Sequence, residues 1–219
     1  MSDAHYPHVF DWSPTEPSKL FYQSGSRRPM FERALGVHVW TRDGARYIDA
    51  SSGAMVSNIG HSNPRVIAAM REQMERGTFA YRLHFESEPA EQLATALGRL
   101  SPPGLTRVFF ASGGSEAVES AVKLARQYAL ARGEADRTEV IARFPAYHGS
   151  TFGTLAVTGY DPLTRPFRAM FRDMPKIPAP RAYLDRDNLT DEEKGAKYAE
   201  ALREKIEAIG PKRALAFIM

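Results

Sequence analysis

The first stretch with a clear period begins at Gly36. Polar and apolar positions alternate through Val37-His38-Val39-Trp40-Thr41, stop at Asp43-Gly44, and resume through Arg46-Tyr47-Ile48-Asp49. Alternation on both sides of an Asp-Gly turn predicts a small β-hairpin. The period then lengthens. Ser62-Asn63-Pro64 opens a helix with proline at its first position and Gly77 just past its end, and Val66, Ile67, Met70 and Met74 form its apolar stripe. A second helix is predicted from about Glu88 to Leu100, with Leu93, Leu97 and Leu100 on one face. Residues 1–33 show no period and are rich in proline, serine and aromatics, which reads as an extended arm.

The middle of the chain has a different pattern. Thr106 to Ala111 is a short apolar run, Ser112-Gly113-Gly114-Ser115 a tight turn, and Glu116 to about Arg132 a helix with Ala117, Ala121, Leu124, Ala125 and Tyr128 expected to face inward. Thr138 to Arg143 reads as a buried strand. Strand, helix, strand at these lengths predicts a βαβ unit and a parallel sheet. Further on, Thr190-Asp191-Glu192-Glu193 is a capping box. Its helix carries Ala199, Leu202, Ile206 and Ile209 and stops at Gly210-Pro211. The closing run Ala214 to Met219 is expected to be a buried central strand.

Composition narrows the classes. The 219 residues are 43% hydrophobic and 25% charged, with 29 Lys+Arg against 26 Asp+Glu. That is the balance of a soluble globular protein with a sizeable core. A surplus of three positive charges, spread without a basic block, argues against nucleic acid. No run approaches the ~18 apolar residues of a membrane span. The acidic, h-region-free N-terminus disfavours export, so a cytoplasmic location is expected. With no cysteine there is no disulfide framework, thiolate metal site or cysteine nucleophile. His5 and His8 lack a third ligand candidate nearby, so no metal site is expected.

Two stretches carry candidate chemistry. A helix start has amides without partners and a partial positive charge, so Gly113, Gly114 and Ser115 suit a phosphate; they equally suit simple N-capping. The turn has neither the Gly-Lys-Ser/Thr of a nucleotide loop nor GxGxxG, which disfavours a nucleotide. Tyr147-His148-Gly149 follows the next strand, at the sheet edge where α/β proteins bind ligands. Tyr147 can stack on a flat ring or simply pack, and His148 can act as a base or simply hold the turn.

Together these residues resemble a known family. VFFASGGSEAVESAVKLAR (Val108–Arg126) followed by AYHGSTFG (Ala146–Gly153) is similar to the class III aminotransferases, pyridoxal-phosphate enzymes of fold type I. Gly36 to Trp40, Asp43-Gly44, Tyr47-Ile48-Asp49 and Gly60-His61-Ser62-Asn63-Pro64 extend the likeness upstream, so that it covers Leu35 to Met219. The resemblance implies an α/β fold: an N-terminal arm over 1–33, a small-domain hairpin and helix over 34–77, and over 78–219 the first part of a large domain with a mainly parallel sheet. It also implies pyridoxal 5'-phosphate, an amino donor and a keto acid (pyruvate or 2-oxoglutarate) in ping-pong exchange, and a homodimer with shared active sites.

Site residues follow by position. The phosphate cup, usually Ser-Gly-Ser/Thr, falls on Gly113, Gly114 and Ser115, so one hydroxyl is missing at Gly113. Tyr147 falls on the ring-stacking aromatic, and His148 and Gly149 complete that motif. The substrate pocket falls on Ser52 to Val56, with Met55 where ω-transaminases often have tryptophan, and on Tyr81 and Phe85. The Schiff-base lysine has no counterpart: Lys19, Lys123, Lys176, Lys194, Lys197, Lys205 and Lys212 all lack the family's lysine context. It is expected beyond residue 219, which makes these residues the N-terminal half of the enzyme and inactive alone. The alternatives are a non-catalytic assembly partner and another reaction of the same cofactor.

Overall fold

The computed structural model describes residues 20, 21, 28–181, 183–185 and 187–219. Met1 to Lys19, including His5 and His8, and most of the expected arm lie outside them. The chain packs as two units that divide between Glu91 and Gln92.

In the first unit the expected hairpin is the β2–β3 pair of a three-stranded antiparallel sheet: β1 (Phe31–Leu35), β2 (His38–Thr41) and β3 (Arg46–Ile48), in that order. Strand β1 is a correction, since residues 31–33 read as arm. It pairs with β2 from Phe31↔Thr41 to Leu35↔His38, and the register shifts between Phe31 and Arg33. The Asp43-Gly44 turn is as predicted, with Gly44 at φ +86 and the Thr41 hydroxyl bonded to Asp43 at 2.5 Å. A distorted turn, α1 (Ser52–Met55), has non-helical Gly53 and Ala54. Helix α2 (Pro64–Arg76) begins at Asn63, whose side chain accepts from the amides of Arg65 and Val66, and ends at Gly77. Helix α3 (Glu88–Leu100) spans the division, with its first turn, including acidic Glu88 and Glu91, in the first unit and the rest in the second, and runs over the expected residues.

The second unit is α/β. Helix α4 (Gly114–Ala131) is followed by β4 (Glu139–Phe144), the short helices α5 (Phe152–Val157) and α6 (Asp161–Thr164), then β5 (Lys176–Pro178), α7 (Asp191–Ile209) and β6 (Ala214–Phe217). The strands form a parallel sheet in the order β5-β4-β6. Strand β4 is therefore central and its run Glu139 to Ala142 is buried. Val140, Ala142 and Val157 form the core, with Val118, Val122, Met174, Leu215, Ala216 and Ile218 packed against it. Capping of α7 is as expected: the Thr190 hydroxyl accepts from the Glu193 amide while the Glu193 carboxylate accepts from the Thr190 amide.

Three expectations fail, each for a physical reason. Thr106 to Ala111 joins no ladder: a strand exists only with a hydrogen-bonding neighbour, and among the described residues none lies alongside it. Phe109 and Phe110 are accordingly exposed. Strand β6 lies at an edge of the described sheet instead of its centre, because no described strand flanks it opposite β4. Helix α4 is rotated from the expected face. Val118 and Val122 pack against the sheet core and Ala129 is buried; of the expected inward residues Ala125 is partly buried, whereas Ala117, Ala121, Leu124 and Tyr128 are exposed. Both sets recur at helical spacing, so periodicity alone did not choose between them.

Candidate functional site

Helix α4 starts with a glycine N-cap, Gly113, which is extended (φ −170, ψ 171) and has no side chain to bond the helix's first amides. The Gly113 carbonyl accepts from Ala117 at 3.0 Å. Helix geometry leaves the amides of Gly114, Ser115 and Glu116 without acceptors inside the helix. The space beside the turn is open, since a Cβ built at Gly113 or Gly114 meets nothing within 4 Å. Glu116 reaches back so that its carboxylate accepts from the Ser112 amide at 2.9 Å. The result is an open, donor-rich helix start at a long helix's positive end.

The second motif follows the carboxyl end of β4, where parallel sheets place ligands. The stretch 146–153 is tied down at several points. Ala146 and Gly159 exchange backbone hydrogen bonds at 3.0 and 2.8 Å. Gly159 is required there, because a Cβ would stand 2.1 Å from the Arg143 carbonyl oxygen. The buried Thr158 hydroxyl accepts from the His148 amide and donates to the Gly149 carbonyl, both at 3.1 Å. Ser115 Oγ accepts from the Ser150 amide at 3.1 Å. Gly149 (φ +134) lies so close that a Cβ would be 2.7 Å from Ser115 Oγ and 2.5 Å from Thr154 Oγ1. The structure thus brings Ser115 and Gly149 together, joining the two motifs that sequence reading proposed separately.

Tyr147 is 62% exposed, so its ring presents a free aromatic surface beside this junction. His148 is partly buried, and its Nε2 has no hydrogen-bond partner among the described residues. Burial, and then the nearby Arg143 guanidinium, hold its pKa below the usual histidine value, so the ring is neutral at pH 7. A neutral imidazole with an unoccupied nitrogen can accept or donate one hydrogen bond.

Met55, Tyr81 and Phe85 lie in the first unit. Met55 is exposed and held at φ +60, a conformation rare for a non-glycine residue. Its loop is fastened by Asp49, which accepts from the Ser52 amide at 2.8 Å and pairs with His61 Nε2 at 2.7 Å. Tyr81 and Phe85 share one turn, closed by the Phe85 amide donating to the Tyr81 carbonyl at 3.0 Å. The Tyr81 ring meets His84 edge-on at 5.2 Å. Sequence reading missed Glu119, Thr151, Gly153 and Thr158, which hold the 146–153 stretch. Only Glu119 left a signal: it stands four residues after Ser115, and therefore on the same helix face.

A parallel α/β sheet with an open, glycine-capped helix start, tied to a loop that bears an exposed ring at a strand's carboxyl end, is an arrangement that suits a small phosphorylated, ring-bearing ligand. Comparison with known proteins makes the class specific. The chain belongs to the class III aminotransferase family, whose model matches residues 21–214. It is 39% identical over 202 residues to an uncharacterised aminotransferase of Schizosaccharomyces pombe, covering 91% of this chain and 44% of that protein. With a putrescine–pyruvate aminotransferase of Pseudomonas aeruginosa the identity is 29% over 99% of this chain and 46% of the relative. Among solved structures, an (S)-enantioselective ω-transaminase from Thermomicrobium roseum superposes with a TM-score of 0.82 at 36% identity, over 87% of this chain and 43% of that one. An ω-transaminase from Pseudomonas jessenii in complex with PMP gives 0.85 at 28% identity, over 91% of this chain and 46% of that one. The fold is accordingly that of the fold type I transaminases in part, and the chain spans less than half the length of these relatives.

Proposed function

We propose that this chain provides the cofactor-holding part of an aminotransferase that moves an amino group between an amine or amino acid and a keto acid such as pyruvate or 2-oxoglutarate. The supporting observation is the junction at Ser115, where the open helix start is fastened to the loop that bears Tyr147. The residues fit pyridoxal 5'-phosphate. The amides of α4 and the room beside Gly113 and Gly114 suit a phosphate, and the exposed Tyr147 ring suits a pyridine ring. When bound, that cofactor supplies an electron sink for breaking bonds at the substrate's amino-bearing carbon.

The chain's own residues then divide the work. The first amides of α4 would hold the phosphate dianion, and Gly113 leaves them uncovered where a serine would add a hydroxyl. Tyr147 would supply the aromatic surface against the ring and keep water from that side. His148, neutral and with Nε2 unpaired, offers one hydrogen bond at the loop, while Gly149 lets the loop approach Ser115. We assign Met55, Tyr81 and Phe85 to the substrate pocket. A flexible thioether at position 55 adapts to more substrate shapes than a flat indole does. The same reading gives a cytoplasmic homodimer.

The test uses the protein expressed from its complete reading frame. After removal of any bound cofactor, pyridoxal phosphate should restore a visible-edge absorption band. The restored protein should then convert a primary amine plus pyruvate or 2-oxoglutarate to a carbonyl product plus the matching amino acid. A protein that takes up the cofactor but moves no amino group from any donor contradicts the assignment.

A further inference from the structure

Glu119 stands one helical turn beyond Ser115, and its carboxylate does not point idly to water. Its Oε1 accepts from Thr151 Oγ1 at 2.6 Å and from the Gly153 amide at 3.2 Å. The Thr151 proton goes to the carboxylate, and the Thr154 hydroxyl donates to the Thr151 carbonyl at 3.0 Å, with Thr151 Oγ1 also only 2.9 Å away. Thr154 is almost fully buried beneath the loop. Gly153 records the same contact from the other side. A Cβ there would lie 2.7 Å from Glu119 Oε1, so the loop touches the carboxylate with its bare backbone. Residues i and i+4 share a helix face, about 6 Å apart along the axis. Ser115 and Glu119 thus form a two-rung ladder of acceptors on α4, which holds the amide of Ser150 on one rung and the Thr151 hydroxyl and Gly153 amide on the other.

We propose that Glu119 is a positioning residue: it fixes the loop bearing Tyr147 against the start of α4, and so sets the spacing between the phosphate turn and the ring-stacking surface. The inference rests on the reading of that turn and that ring as the cofactor site. Glu119 itself touches neither. Its negative charge close to a phosphate site is unfavourable, which is why its hydrogen bonds, and not its charge, must be what it contributes. A glutamine keeps one acceptor oxygen and loses the charge; an alanine loses both.

The experiment compares wild type, Glu119→Ala and Glu119→Gln in the protein from its complete reading frame. Two readouts are taken: amide exchange of residues 150–153 without cofactor, and the dissociation constant for pyridoxal phosphate. Glu119→Ala should speed exchange at 151–153 and weaken cofactor binding about tenfold, the scale of one hydrogen bond, while Glu119→Gln stays within about threefold of wild type. If wild type binds the cofactor and Glu119→Ala matches it in both readouts, the positioning role is overturned. It is also overturned if both variants bind more tightly, since charge would then be the operative property. If exchange at 151–153 responds as expected but wild type takes up no cofactor, the cofactor reading is what fails, and the positioning role toward that group fails with it.

Discussion

Thr158 offers the sharpest test of how the Tyr147 loop is held. It is 1% exposed, and its hydroxyl serves two backbone groups at once, the His148 amide and the Gly149 carbonyl. Thr158→Val keeps the branched shape and leaves both groups without that partner. A backbone group deprived of its hydrogen bond costs about 1–3 kcal/mol where buried, as at the Gly149 carbonyl, and about 1 kcal/mol where only part-buried, as at the His148 amide, so the pair costs about 2–4 kcal/mol. Thr158→Ser keeps the hydroxyl and loses one methyl, about 1 kcal/mol. Neither loss exceeds the 5–15 kcal/mol that holds a typical native protein together, so both variants should fold. Residue-resolved hydrogen exchange reads the difference at the His148 amide. The valine variant should exchange roughly 30- to 700-fold faster there than wild type, at a factor of ten per 1.4 kcal/mol, and the serine variant by less than about tenfold. Equal exchange in Thr158→Val and wild type refutes the reasoning. So does a serine variant that loosens the loop as much as valine.

Gly149→Ala places a methyl 2.5 Å from Thr154 Oγ1 at a φ of +134, combining overpacking with backbone strain. It should cost about 2–4 kcal/mol in urea unfolding, against about 0.5–1 kcal/mol for Gly113→Ala, whose Cβ meets open space and which loses only the preference of an N-cap for glycine over alanine. In the first unit, the hydrogen bond from His61 holds the Asp49 carboxyl below its usual pKa. A lowered folded-state pKa gives stability that is present above about pH 4 and lost as pH falls through the folded value. Proteolysis within residues 50–60 should therefore rise on acidification in wild type and be raised and nearly pH-independent in Asp49→Asn; parallel curves for the two would sink this account.

Local chemistry was the legible part of the sequence. The Asp43-Gly44 hairpin, the Asn63 and Thr190 caps and the glycine stops after α2 and α7 depend on neighbours within a few residues, and they stand where the pattern placed them. Strand β4 was legible because burial on both faces leaves the apolar run Val140-Ile141-Ala142 without a helical period. Pairing and facing were less so. Thr106 to Ala111 has the composition of a strand, but a ladder requires a neighbour that composition does not supply. Helix α4 carries two apolar stripes, and the sheet contacts only one of them. At the candidate site the glycines and Tyr147 were visible, since their residue types announce a turn and a ring. The ties through Ser115, Glu119 and Thr158 join residues that are distant in sequence, and nothing local to them marks the contact.

The central claim is that the start of α4 and Tyr147 together hold one phosphorylated cofactor. A crystal structure of the protein from its complete reading frame, grown with pyridoxal phosphate, tests this most directly. The account predicts the phosphate within hydrogen-bonding distance of the Gly114 and Ser115 amides, with the pyridine ring against Tyr147. A phosphate bound elsewhere, or a ring that leaves Tyr147 uncovered, would contradict it.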